Sequence, residues 1–175
     1  MAQDTESNIY SGGMLIVQPG YLMADNTFGS INTFSTGIGG ILRFYLGKHF
    51  TAGILGGNTG GHYNTQGSET SYLKLGYGGA FAGYSLRKND WRFTSAVSIG
   101  GGSVKNLHVN EQIGNKLNDA HYFKYATPVV IPFISVDRSL TKRLYLTAQI
   151  SGIFFTENRV IHQNPVFQAG ILFGR

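Results

Sequence analysis

The apolar residues of this chain come in short runs, and that limits what it can fold into more than any other feature. The longest are Met14-Leu15-Ile16-Val17 and Val129-Val130-Ile131-Pro132-Phe133. A transmembrane helix needs about 18 to 20 consecutive apolar residues, so no helical span is available. Within and around these runs apolar residues alternate with small or polar ones, the period of a β-strand. No window carries a sustained helical stripe. A barrel strand crosses a bilayer with only about 9–11 residues, so the missing helix leaves a membrane location open.

Eight alternating segments are predicted, at 12–21, 34–46, 49–60, 71–87, 91–105, 125–138, 142–155 and 165–173. The connections after the second, fourth and sixth are tight: Gly47-Lys48, Lys88-Asn89-Asp90 and Ser139-Leu140-Thr141. The others, 22–33, 61–69, 106–124 and 156–164, read as longer polar loops. Short turns at one end and long loops at the other belong to an up-and-down barrel in an outer membrane. A soluble sandwich mixes connection lengths between its ends.

Composition agrees. Only 13% of residues are charged, against about 25% in soluble domains. There are 25 glycines, 12 Phe and 10 Tyr, which favour strands in close backbone contact. The chain has no cysteine, which excludes disulfides, thiolate zinc sites and thiol nucleophiles. That also suits passage through an oxidising periplasm. The start Met1-Ala2-Gln3-Asp4 reads as a mature end behind an added initiator Met, with no signal peptide. The expected organisation is one barrel domain over 1–175, with 1–11 a flexible N-terminal segment.

The faces are assigned by putting the oily stripe toward lipid and the small or polar stripe toward the lumen. Lipid-facing residues are then Leu15, Val17, Leu42, Ile54, Leu75, Phe81, Val97, Ile99, Leu146, Ile150, Phe167 and Ile171. Arg43, Lys74, Arg92, Arg143, Gln149 and Ser151 are expected in a plugged polar lumen, joined by Thr127, Ser135 and Asp137. So many inward cations with few acids pose a problem, because unpaired buried charge is costly. The second segment mixes Ile41 with Arg43 on one face. Pro128 and Pro132 require a bulge or locally broken pairing in the sixth.

Aromatics gather near strand ends, where rings sit at headgroup level. Phe44, Phe50, Tyr84, Trp91, Phe93 and Phe173 form a girdle at the tight-turn end; Tyr21, Tyr63, Tyr72 and Phe154 form one at the other, with Phe34, Tyr125 and Phe155 nearby. Nine of the 14 basic residues lie at the tight-turn end, where a basic rim can contact inner-leaflet phosphates. They do not form one patch with stacking aromatics, so nucleic acid is not an expected partner.

The C-terminal Gln168-Ala169-Gly170-Ile171-Leu172-Phe173-Gly174-Arg175 resembles the terminal recognition segment of outer-membrane barrel proteins. Gln168, Gly170 and Phe173 match it, while Arg175 stands where the final aromatic is usual. With the eight-segment layout, the whole chain resembles the small eight-stranded barrels typified by the OmpA membrane domain and OmpX. That resemblance implies an all-β antiparallel barrel in a bacterial outer membrane. It carries no specific activity, since the class includes anchors, adhesion proteins and lipid-modifying enzymes.

Chemistry-bearing residues are few. His62, His108, His121 and His162, with Glu69, Glu111, Asp119 and Glu157, lie at the long-loop end without ligand spacing, and His49 lies in a turn. No metal or cofactor is expected. Lipid A deacylases of this class pair a His with a Ser two residues later, and no His-x-Ser occurs here. A Ser151–His162–Glu157 set is geometrically conceivable. The glycine groups lie inside strands and do not open a helix, so they do not cradle phosphate. Eight strands enclose room for side chains and not for an open pore.

The leading expectation is a monomeric, non-enzymatic outer-membrane barrel. It contacts membrane lipids or lipopolysaccharide, and an extracellular partner through 106–124. The alternatives are a lipid A acyl hydrolase or acyltransferase, and a soluble lipocalin-like barrel with its oily face inside.

Overall fold

In the computed structural model the described residues are 9–26, 29–47, 49–65, 68–113, 116–141, 143–157 and 160–174. They form nine strands: β1 (Ile9–Val17), β2 (Gly20–Asn26), β3 (Gly29–Leu46), β4 (Phe50–Thr65), β5 (Ser68–Lys88), β6 (Trp91–Ile113), β7 (Lys116–Thr141), β8 (Leu144–Glu157) and β9 (Val160–Gly174). All pairings are antiparallel. β1 and β2 both pair with β3 on one side and β9 on the other, so they are two halves of one stave. The sheet closes on itself through eight staves.

The stave breaks at Gln18-Pro19 because proline has no N–H for the ladder. Neighbouring strands bridge the break: Gln18 N–H donates to the Gly37 carbonyl at 3.0 Å, and Phe167 N–H to the Pro19 carbonyl at 2.9 Å.

Register fixes the stagger. From Gly13, successive partners are Leu42, Ile54, Ala80, Ile99, Val130, Phe154 and Gln163. Gln163 then pairs with Met23, ten residues beyond the start on the same stave. Ten residues make roughly 33 Å, against roughly 38 Å for eight strand spacings, so the strands tilt by about 40°.

The strands are longer than a bilayer crossing requires. β6 has 23 residues and β7 has 26, against the about 9–11 needed to cross. The segment expected as a loop, 106–124, is therefore mostly a two-stranded ribbon, paired from Asn106↔Phe123 to Ile113↔Lys116 with two register shifts. Residues 22–26 and 29–33 likewise pair with each other as parts of β2 and β3, and most of 61–69 and 156–164 is strand. β1 begins at Ile9, inside the segment expected to be flexible; the rest of that segment, 1–8, lies outside the described residues.

The prolines of β7 cost it ladder bonds to β8. Pairing lapses between Val130↔Phe154 and Phe133↔Ser151, around Pro132, without a change of register. Beside Pro128 a side chain substitutes for the backbone. The Thr127 hydroxyl donates to the Thr156 carbonyl at 2.8 Å and accepts from the Thr156 N–H at 3.0 Å.

One strand reverses the expected faces. Leu75 and Phe81, assigned to lipid, are buried inside with Leu73 and Tyr77, while Lys74, assigned to the lumen, is exposed outside. Volume explains the reversal. Tyr77 pairs with Gly57 and Gly102, and Phe81 with Gly53, so bulky β5 residues fill space that neighbouring glycines vacate. A Cβ on Gly53 would come within 2.8 Å of the Phe81 ring, and one on Gly57 within 3.1 Å of the Tyr77 hydroxyl. A narrow barrel must be filled, and its large and small residues alternate to do so.

Candidate functional site: barrel wall, lumen and outer rim

The outer wall is oily on all sides. Leu15, Val17, Leu42, Ile54, Val97, Ile99, Leu146, Ile150, Phe167 and Ile171 face outward, with Leu15 71% and Ile99 69% exposed. Ile38, Ile134 and Ile161 join them; the flanks of the first two do not alternate cleanly, and Ile161 falls in the segment 156–164 expected as a loop. Phe44, Phe50, Tyr84, Trp91, Phe93 and Phe173 surround the tight-turn end, with Arg138 5.3 Å over the Trp91 ring. At the other end Tyr21 and Phe34 meet edge to face at 5.5 Å, and Tyr72 and Phe154 also lie on the outer wall. Tyr63, expected in that girdle, is buried inside. Its hydroxyl donates to Asn106 Oδ1 at 2.8 Å and lies 3.2 Å from His108 Nδ1. A polar tip with buried partners holds a tyrosine inward.

The lumen is tightly filled. Arg43, 0% exposed, meets Asp137, 1% exposed, at 3.1 Å. Its other terminal nitrogen donates to Gln149 Oε1 at 2.7 Å, and Tyr45 donates to the same Asp137 at 3.3 Å. Gln149 donates onward to Ser151 and Gln168, and Gln168 to Gln18 at 2.8 Å. Tyr77 donates to Gln18 at 2.7 Å, and Gln18 to the Asn58 carbonyl at 2.7 Å. This seam ties staves on every side of the barrel together. Above and beside it, Leu22, Leu73, Leu75, Val104, Phe155 and Leu172 pack as a dry cluster. The interior is thus more apolar than expected.

The excess of inward cations disappears. Arg43 is paired. Arg92 points inward with its guanidinium 3.8 Å from the Tyr45 ring centroid, a cation–π contact. Lys74 is outside. Arg143, expected in the lumen, lies exposed in the β7–β8 turn, where strand alternation no longer sets its direction.

The conceivable catalytic set does not assemble. Ser151 donates to Gln168 Oε1 at 2.7 Å and accepts from Gln149 at 3.0 Å. His162 sits farther along β9, where its Nδ1 accepts the Asp25 backbone N–H at 3.0 Å and its ring packs on Phe155. The Glu157 side chain lies outside the described residues. Among the described residues no group of three His, Cys, Asp or Glu side chains could hold a metal. Burial pushes the His108 pKa below the usual histidine value, and the neighbouring His121 adds to the shift; Asn110 and Asp119 oppose it.

No protein-family model and no curated protein matches this chain. Solved structures do match in shape. Neisserial surface protein A aligns with a TM-score of 0.59 at 13% identity, covering 95% of this chain and 97% of that one. Ail of Yersinia pestis, solved with the heparin analogue sucrose octasulfate, aligns at 0.56 and 11%, covering 94% and 99%. The N-terminal barrel of Pseudomonas aeruginosa OprF aligns at 0.51 and 11%, covering 94% and 97%. The chain therefore has the fold of the small eight-stranded β-barrels of the bacterial outer membrane. The lipocalin-like alternative needed the large apolar side chains inside, whereas Leu15, Ile38, Ile54, Ile99, Ile134, Ile150 and Phe167 all stand exposed on the outer wall.

Proposed function

We propose that the protein is an integral outer-membrane barrel without catalytic activity, closed to solutes and working through its outer surface. The observation that carries this reading is the continuous oily wall between two aromatic rims, wrapped around a lumen filled by its own side chains. Within the buried seam the one conceivable nucleophile, Ser151, is already hydrogen-bonded to Gln149 and Gln168. The extended β6–β7 ribbon, with Ile113 and Tyr122 exposed, is the surface for an extracellular partner. The barrel acts as a monomer.

Three measurements test this. The refolded protein should require detergent or lipid to stay monodisperse; monodispersity in plain buffer overturns the membrane reading. In planar bilayers it should show no unitary conductance, and stable ohmic steps would refute a closed lumen. Lipid A from cells with and without the protein should have the same acyl pattern; a difference would establish an enzyme.

A further inference from the structure

Three lysines stand in one row on the outer wall. Lys74 of β5 pairs directly with Lys105 of β6, and Lys105 with Lys124 of β7. All three are exposed and outward. Directly paired residues have Cβ atoms about 4.5–5.5 Å apart, and like charges so placed destabilise a sheet. Among the described residues no ion pair offsets that cost. The ion pairs among the described residues are Arg43–Asp137 and His121–Asp119, and neither involves these lysines. Lys74 instead lies 5.0 Å over the Tyr72 ring. The three ammonium groups border a groove of about 710 Å³, floored by Gly60, Gly76 and Ser103 and flanked by His62.

Height decides what fills the groove. At a tilt of about 40° each residue climbs about 2.5 Å. Lys74 is ten residues from Tyr84 of the turn-end girdle, so it sits about 25 Å above that rim. That is the full height of a barrel's oily band, which places the row at the outer headgroup level beside Tyr72. Below it the wall is smooth: Gly76, Gly78, Ala80 and Ala82 face outward on β5. Acyl chains fit against such a surface while phosphates meet the lysines.

We propose that Lys74, Lys105 and Lys124 bind the phosphate groups of an outer-leaflet phosphoglycolipid. This rests on the membrane placement proposed above. The occupant carries at least two phosphates, because one anion cannot neutralise a row of three cations. A soluble anion would gain the charge contacts but not the acyl contacts with the glycine and alanine wall.

The test uses the full chain in neutral detergent, with binding followed by native mass spectrometry and titration. Probes are diphosphorylated lipid A, its dephosphorylated form, inorganic phosphate and heparin. Diphosphorylated lipid A should bind best. Each of K74Q, K105Q and K124Q should weaken it about fivefold, and the triple variant roughly a hundredfold. R87Q/K88Q at the opposite rim should leave it unchanged. Retained heat-modifiable migration in gels shows that the variants still fold. The proposal is overturned if the triple variant binds like the parent, or if dephosphorylated lipid A, phosphate or heparin binds as well as the diphosphorylated lipid. Failure of the membrane reading shows separately, as a barrel monodisperse without detergent.

Discussion

Breaking the Arg43–Asp137 pair is the sharpest test of the lumen. Both groups are withdrawn from water, and Asp137 accepts from Arg43 and from the Tyr45 hydroxyl. Asp137→Leu leaves the guanidinium with Gln149 as its remaining acceptor in the seam. Each hydrogen bond to a charged group contributes about 1.5–3 kcal/mol, and two are lost. A loss of about 3–5 kcal/mol follows, the range found when one member of a buried pair is removed. Arg43→Met should cost a similar amount by stranding the carboxylate. The double variant should cost clearly less than the sum, because it strands neither charge. The assay is reversible urea unfolding in lipid vesicles. With a slope of about 2 kcal/mol/M, each single variant lowers the midpoint by about 2 M. Single variants within about 1 kcal/mol of the parent, or a double variant that is simply additive, would refute a coupled, dry pair.

Other outcomes follow from the wall, the packing and the rim. Ile99→Arg, in the middle of the oily band, should destabilise by about 2–4 kcal/mol in vesicles, whereas Phe34→Arg near the outer rim should cost about 0–1 kcal/mol; equal costs would contradict the assigned depth. Gly53→Val should cost about 1–3 kcal/mol through collision with the Phe81 ring and the Leu42 carbonyl, and unchanged unfolding would count against the filled lumen. Thr127→Val removes the hydroxyl that serves both backbone groups of Thr156. It should cost about 1–3 kcal/mol and speed amide exchange at Thr156.

The beyond-membrane ribbon should loosen in acid. Its His108 has a folded pKa below the ordinary 6.5 because burial penalises the charged form. The opened ribbon therefore takes up the proton first. The closed ribbon keeps its full stability above the ordinary histidine value and loses it as pH falls from there toward the depressed folded pKa. Amide protection factors over Asn106–Ile113, taken relative to the intrinsic exchange rate at each pH, should fall across that window, and His108→Gln should remove that fall. Protection factors that rise on acidification would reverse the sign and sink the argument.

Much of this fold was legible because strand alternation survives in residues such as Trp91, Phe93, Val97 and Ile99, whose outward order is plain in the sequence. The tight turns were legible too: Asn89 takes a positive φ of 54° and Gly47 one of 65°, conformations those residues tolerate. Strand length was not legible. Polar segments such as 106–124 look like loops until pairing shows that each strand simply continues past the bilayer into water, where an oily face is no longer required.

Alternation also leaves the choice of side undetermined. On β5 both faces can be read as outward: one has Leu73, Leu75, Tyr77 and Phe81, the other mostly Gly and Ala between Tyr72 and Tyr84. Hydrophobicity alone selects the first. What decides is the volume left by Gly53, Gly57 and Gly102 on adjacent strands, a property of register and not of any one segment. The same reversal turns Lys74 outward and brings it into line with Lys105 and Lys124. Reading β5 the other way would bury Lys74 in a lumen whose one buried acid among the described residues, Asp137, is already paired with Arg43, and would dissolve the row. The oily filling of the lumen and the cationic row at the outer rim are therefore two consequences of one packing constraint.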